Sequence, residues 1–206
     1  MFHPYIKSAS RQRWSEAIGS LSKPREDFGP AKNFVIGPDD AIISLGSCFA
    51  QHIAGCLKNL GLNYIQKFES VSQFDREKQI YSANYGNIYT AKQLRQLLES
   101  AIKYKNGEDF SKLFLPDTKG DFIVDMLRPY AVGCSEFATE KEGLAARKEH
   151  LKNIDEILSE TDLITITLGL TECWVHKPTR LALPLAPGVM GGIYDPKLYE
   201  FVNYTY

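Results

Sequence analysis

Apolar and polar positions alternate along this chain with two distinct periods, and the changes of period mark its elements. Ala41 to Leu45 is a short apolar run closed by Gly46, as a buried strand would be. From Phe49 to Leu60 the period becomes helical, with Phe49, Ile53, Cys56, Leu57 and Leu60 on one face and Gly61 placed to end the helix. Leu62 to Ile65 suits a second strand, returned parallel to the first by a right-handed crossover. Thr90-Ala91-Lys92-Gln93 has the form of a capping box and precedes Leu94, Leu97, Leu98, Ala101 and Ile102 at helical spacing. Thr139-Glu140-Lys141-Glu142 repeats that start signal before Leu144, Leu151, Ile154, Ile157 and Leu158, a helix running from Glu140 to about Ser159. It leads into Leu163 to Leu168, rich in β-branched residues and expected to be a central strand beside, and parallel to, the first. After Trp174 the abundance of proline and glycine reads as loop.

Strand, helix, strand, helices, strand is the order of a layered α/β sheet. Residues 1–38, broken by Pro4, Pro24, Pro30 and Pro38, read instead as an irregular arm with one short helix at Arg13 to Leu21; Trp14, Phe28 and Phe34 call for burial. The α/β domain then spans 39–206. Three convincing strands are few for a doubly wound sheet, so either further strands lie in segments that read otherwise or the sheet is incomplete, and an incomplete sheet would expose an edge to pairing by a second copy of the chain.

Composition narrows the function. With 206 residues, 44% hydrophobic and 24% charged, the chain suits a domain with a real core. A net charge of −1 without a basic stripe argues against nucleic acid or an anionic membrane as partner. No apolar run is long enough to span a bilayer, and the N-terminus lacks the apolar core of a signal peptide. The four cysteines, Cys48, Cys56, Cys134 and Cys173, form no C-x-x-C pair, so reduced thiols and a cytoplasmic location are the expectation. No metal-ligand spacing and no glycine-rich dinucleotide loop is visible, and neither metal nor cofactor is expected. A cysteine phosphatase needs an arginine six residues after its cysteine, where this chain has Ala54.

The chemistry concentrates at three turns. Gly46-Ser47-Cys48 lies between a strand and a helix, where a side chain stands up at the carboxyl end of the sheet. A helix N-terminus there favours a thiolate and offers backbone N–H groups to an anion. Asn84-Tyr85-Gly86-Asn87 lies in the loop before Thr90, and Gly169-Leu170-Thr171-Glu172 follows the second long strand. A nucleophile ringed by hydrogen-bond donors suits acyl transfer.

Gly46-Ser47-Cys48-Phe49-Ala50 spells the signature of the GSCFA family, and Asn84 to Thr90, Thr167 to Glu172 and Phe201 to Tyr206 resemble its other blocks. That family resembles the SGNH (GDSL-type) esterases and acyltransferases, which implies a three-layer, flavodoxin-like parallel sheet. Laid on the SGNH pattern, Cys48 takes the nucleophile's position and Ser47 that of the neighbouring aspartate. The choice between them stays open, with position and thiol chemistry favouring Cys48. The resemblance puts Gly86 in the oxyanion hole, Thr171 where an asparagine would donate and Glu172 beside it. Asn84, Asn87, His52 and His176 are candidates for substrate contact. His52 falls one turn after Cys48, within reach of it on a helix, and His176 follows the third block.

The histidine block that serves SGNH enzymes as general base has no counterpart here, and the chain ends before the family's further segment, so a truncated form is the expectation. The resemblance therefore implies an acyl-ester hydrolase or acyltransferase, its substrate a small-molecule or glycan ester. The alternative is a non-catalytic fragment or binding module that keeps the pocket and lacks the base.

Bland readings stand beside these. Cys56 belongs on the apolar helix face, Cys134 in a loop and Cys173 beside Trp174; His3 and His150 read as surface residues. Thr171 and Glu172 could cap a helix. Tyr81, Tyr85, Tyr89, Trp174 and Tyr194 suit either sugar stacking or core.

Overall fold

The structure is a computed structural model and describes residues 35–70, 81–129, 131 and 135–204. The chain from Gly37 onward forms one unit. The expectations for the arm at 1–34, for His3 and for Cys134 lie outside the described residues.

Strand β1 (Ile42–Gly46) is buried at every position. It pairs in parallel with β5 (Leu163–Thr167), Ile42 opposite Leu163 and Gly46 opposite Thr167, as the sequence predicts. On its other side, among the described residues, β1 has a parallel bridge from Ile42 to Tyr64 and no further strand. The expected second strand at Leu62 to Ile65 is thus reduced to two hydrogen bonds, Ile42 N–H to Asn63 O and Ile65 N–H to Ile42 O.

Helices cover both faces of β1. Helix α1 (Phe49–Asn59) lies on the face of Ser44, whose hydroxyl donates to Ala50 O at 2.9 Å. Ile43 and Leu45 face the other way. They pack with Leu97 and Ala101 of α2 (Ala91–Lys105) and with Leu151, Ile154 and Ile157 of α3 (Glu140–Glu160). This is a mixed α/β architecture, helix on sheet on helix. Burial on both faces explains why β1 reads as a largely apolar run, with Ser44 tolerated because its hydroxyl is bonded to Ala50 O.

Both helix starts match their signals. Thr90 accepts from Gln93 N–H, and the Gln93 side chain accepts from Thr90 N–H, so the capping box is complete. Thr139 accepts from Glu142 N–H at 3.3 Å, but the Glu142 carboxylate reaches past the cap to Ala138 N–H, so this cap is one-sided.

Several expectations are corrected. Helix α1 buries its small residues Ala50 and Ala54, because its backbone lies close to the sheet. Phe49 and Leu60 are 66% and 74% exposed, and Cys56 is exposed rather than in the core. Strand β5 is not central: no further strand pairs with it among the described residues, and Ile164 and Ile166 are 42% and 48% exposed.

Two antiparallel sheets complete the fold. β2 (Phe114–Pro116), β3 (Ile123–Asp125) and β4 (Glu136–Phe137) form one, with β3 in the middle. The segment after Trp174 is not loop: β6 (Glu172–His176) is the centre of a sheet with β7 (Leu181–Leu183) and β8 (Tyr199–Asn203). Most of the prolines and glycines lie in the long 184–198 connection between β7 and β8, while the β6–β7 hairpin is tight, with Arg180 at φ 60°. Thr171 and Glu172 therefore lead into a strand and cap no helix.

Candidate functional site

Main-chain hydrogen bonds draw the three turns together at the carboxyl ends of β1 and β5. Ser47 N–H donates to Thr167 O at 2.7 Å, joining the first turn to the third. Ile88 N–H donates to Gly46 O at 2.7 Å, joining the second to the first. Gly169 and Leu170 N–H both donate to Tyr89 O at 3.1 Å, joining the third to the second.

Two glycines make this closure possible. Gly46 has φ +135°, and a Cβ there would lie 2.2 Å from Thr167 O. Only a residue without a side chain lets the two strand ends approach so closely. Gly86 is buried at φ +67°, and its N–H donates to no described residue.

Cys48 occupies the N-cap position of α1 and is exposed. Its carbonyl accepts from Gln51 N–H, while its side chain makes no capping bond. Ser47 is half-buried and already engaged: its hydroxyl accepts from Phe49 N–H at 3.3 Å and lies 3.2 Å from the Thr167 hydroxyl. Ser47 thus does the capping, and Cys48 is left to face outward.

A polar chain lies beside the turn. Gln51 of α1 donates to the Tyr81 hydroxyl at 2.9 Å, and that hydroxyl donates to Asn87 Oδ1. Burial pushes the Tyr81 phenol up, and Tyr89 and Cys48 add to the rise as neighbouring acids. Gln51 was not singled out from the sequence, since it belongs to no local motif; Tyr81, a candidate for sugar stacking or core, instead takes a place in this chain.

The other candidates are placed elsewhere. The Thr171 hydroxyl is exposed and bonded to Glu172 and Asn203, and Tyr204 N–H donates to Thr171 O, so this pair joins β6 to the end of β8. His52 is exposed, with its ring edge-to-face against Phe49 at 5.7 Å. His176 lies at the far end of β6, about 13 Å along the strand from Glu172. Its Nδ1 is 2.7 Å from the Thr179 hydroxyl and its ring stands against Tyr199; burial lowers its pKa. Asn84 is buried, its amide donating to Glu69 at 3.1 Å.

Behind the second turn lies a buried ionic cluster that the sequence reading missed. Glu69, Asp125, Arg128, Arg147 and His150 are each 3% exposed or less. His150, expected on the surface, is fully buried with Nδ1 3.2 Å from Glu69 Oε1. Arg128 bonds to Glu69 through Nη1 and to Asp125 through Nε at 3.1 Å; Arg147 lies 3.7 Å from Asp125. Burial, reinforced by the Arg128 charge, lowers the His150 pKa to about 4. Burial alone would raise Glu69, but His150 and Arg128 hold its carboxyl well below the usual range. The available signal was periodicity: Gly143, Ala146, Arg147, His150, Leu151, Ile154 and Ile157 share the buried face of α3, with an arginine and a histidine among apolar residues.

Cys173 is buried with Val175, Ala182 and Val202, on the strand face opposite Trp174. Trp174 meets Tyr194 and Phe201 at ring separations of 5.5 and 5.4 Å. Tyr85 is core, with its hydroxyl on Ser44 O. No cluster of metal-ligating side chains occurs among the described residues, and no helix described is long and apolar enough to cross a membrane.

No curated protein and no solved structure matches the chain. The family model of the GSCFA family matches residues 41–206, which takes in all three turns and the strands that carry them. The chain belongs to the GSCFA family.

Proposed function

We propose that this protein is an acyl-ester hydrolase or acyltransferase whose nucleophile is the Cys48 thiol. The observation that carries the reading is the outward-facing thiol at the head of α1, set where three turns are joined by main-chain bonds. With its hydroxyl engaged as the cap of α1, Ser47 is the weaker nucleophile candidate. The Cys48 thiolate attacks the ester carbonyl and the oxygen gains the negative charge. The Gly86 N–H, which has no partner among the described residues, is the donor proposed for that oxygen. The C–O bond breaks, the alcohol leaves with the proton that the thiol gave up to solvent, and a thioester to Cys48 remains. Water, or an acceptor hydroxyl, then attacks the thioester and returns the thiol.

A carbohydrate ester is the proposed substrate class. Its support is the surface cluster of Trp174, Tyr194 and Phe201, the last two 51% and 59% exposed, a surface on which a sugar face can stack. We also propose self-association through the side of β5 that no strand pairs with among the described residues, beside exposed Ile164 and Ile166.

A second reading, a binding module without turnover, has its own observation. The described histidines engage other groups: His52 meets Phe49, His150 meets Glu69, and His176 meets Thr179 and Tyr199. One experiment separates the two. Mixed with an aryl acetate, the protein should release one equivalent of phenol in a burst and carry an acetyl group on Cys48 by mass spectrometry; Cys48→Ala should do neither. Absence of the acetyl adduct, with a tryptophan fluorescence change on adding glycan esters, would favour the binding module.

A further inference from the structure

We propose that the buried Glu69–Arg128 pair is a positioning device for the second turn, gripping Asn84 by main chain and side chain and so setting where Gly86 presents its N–H. The meaning for catalysis rests on the function proposed above; the geometry does not.

Arg128 Nη1 donates to Asn84 O at 3.3 Å, and Glu69 Oε2 accepts from Asn84 Nδ2 at 3.1 Å. The two charged groups are bonded to each other through Glu69 Oε1. One ion pair thus holds both ends of one residue, two positions before Gly86. Four positions after Asn84, Ile88 N–H is fixed to Gly46 O. The intervening residues are clamped between the ionic cluster and the head of β1.

The clamp is itself held from behind. Asp125 takes Arg128 Nε with one carboxylate oxygen and Leu127 N–H with the other, at 3.1 Å each. His150 lies against the Glu69 oxygen that Arg128 also contacts. Asp125 holds the guanidinium from its own segment and His150 lies against the carboxylate from α3, so both groups have little freedom to turn.

Stability alone gives little reason for such an arrangement. Taking charges out of water costs several kcal/mol each, and apolar fillings of similar volume are often equally stable. What an ion pair adds over an apolar filling is direction: it demands a donor and an acceptor at fixed places, and Asn84 supplies both. An oxyanion donor needs that kind of constraint, because it acts only when aimed at the developing charge.

Asn84→Ala leaves the ion pair intact and removes the side-chain half of the grip. Asn84→Asp keeps the volume and sets a carboxylate against Glu69. Hydrogen–deuterium exchange of residues 82–88 should quicken at least tenfold in both variants, with exchange in α2 and β1 unchanged. With an aryl ester, kcat should fall at least tenfold while KM stays within twofold. Unchanged exchange at 82–88 in both variants, or equal loosening throughout the molecule, would overturn the positioning role. Faster exchange with unaltered kcat would overturn its link to catalysis. If the unmodified protein turns over no ester, the proposed function falls, and the exchange result still decides the positioning role.

Discussion

Lowering the pH from 7.5 to 5 should strip this protein of about 2 kcal/mol of stability through His150 alone. Its pKa is about 4 in the folded chain against an ordinary 6.5, because burial, then the neighbouring Arg128 charge, disfavour the cation. As the pH falls below 6.5 the unfolded chain takes up a proton that the folded chain refuses until about 4. The stabilisation is therefore whole above 6.5 and lost on the way down to 4. Integrated across that window it is about 3 kcal/mol, of which about 2 falls between pH 7.5 and 5. Glu69 acts in the same direction but lower: its carboxyl is held below the ordinary 4.5, so its share is lost only as the pH falls beneath that value. Keeping the measurement above pH 5 thus isolates the histidine. The assay is urea unfolding followed by tryptophan fluorescence at half-unit steps of pH. With a urea m-value of about 2 kcal/mol/M, the midpoint should drop by about 1 M. In His150→Gln most of that drop should vanish, leaving a small residue from His176, whose pKa burial also lowers. A flat midpoint in the unmodified protein, or an equal drop in the variant, would refute the reasoning.

Cys48 and Cys56 are both exposed on α1, so exposure does not separate them and the helix N-terminus does. Iodoacetamide should modify Cys48 several-fold faster than Cys56, and Cys173, whose thiol burial pushes up, slowest of the three; equal rates at Cys48 and Cys56 would remove the case for activation. Gly46→Ala should cost about 3 kcal/mol or more by urea unfolding, since it combines a strained φ with a clash against the Thr167 carbonyl; a loss under about 1 kcal/mol would show that the turn relaxes easily. Placing a charge beside the β5 edge that is unpaired among the described residues, with Ile166→Lys, should shift any dimer seen in sedimentation to monomer, and a dimer that survives would place the contact elsewhere.

The parallel pairing of β1 with β5, helix α1, both capped helices and the gathering of the turns after β1 and β5 were legible in the sequence. Each depends on local rules: an apolar run bounded by glycine, a 3.6-residue period, a threonine three places before an acidic or amide side chain. Strands shorter than about five residues carry too few positions for a period to show, and β2, β3, β4 and β7 went unseen for that reason. The face that α1 buries was misread because hydrophobicity ranks Phe49 and Leu60 above Ala50 and Ala54. Close approach of backbone to sheet ranks them the other way. What only the tertiary structure decided was the pairing of charges. Glu69, the Asp125–Arg128 pair and the Arg147–His150 pair come from three separate stretches of the sequence, and nothing local brings them together. An isolated charge cannot leave water, whereas opposite charges at bonding distance can, and that distance exists only after the chain has folded.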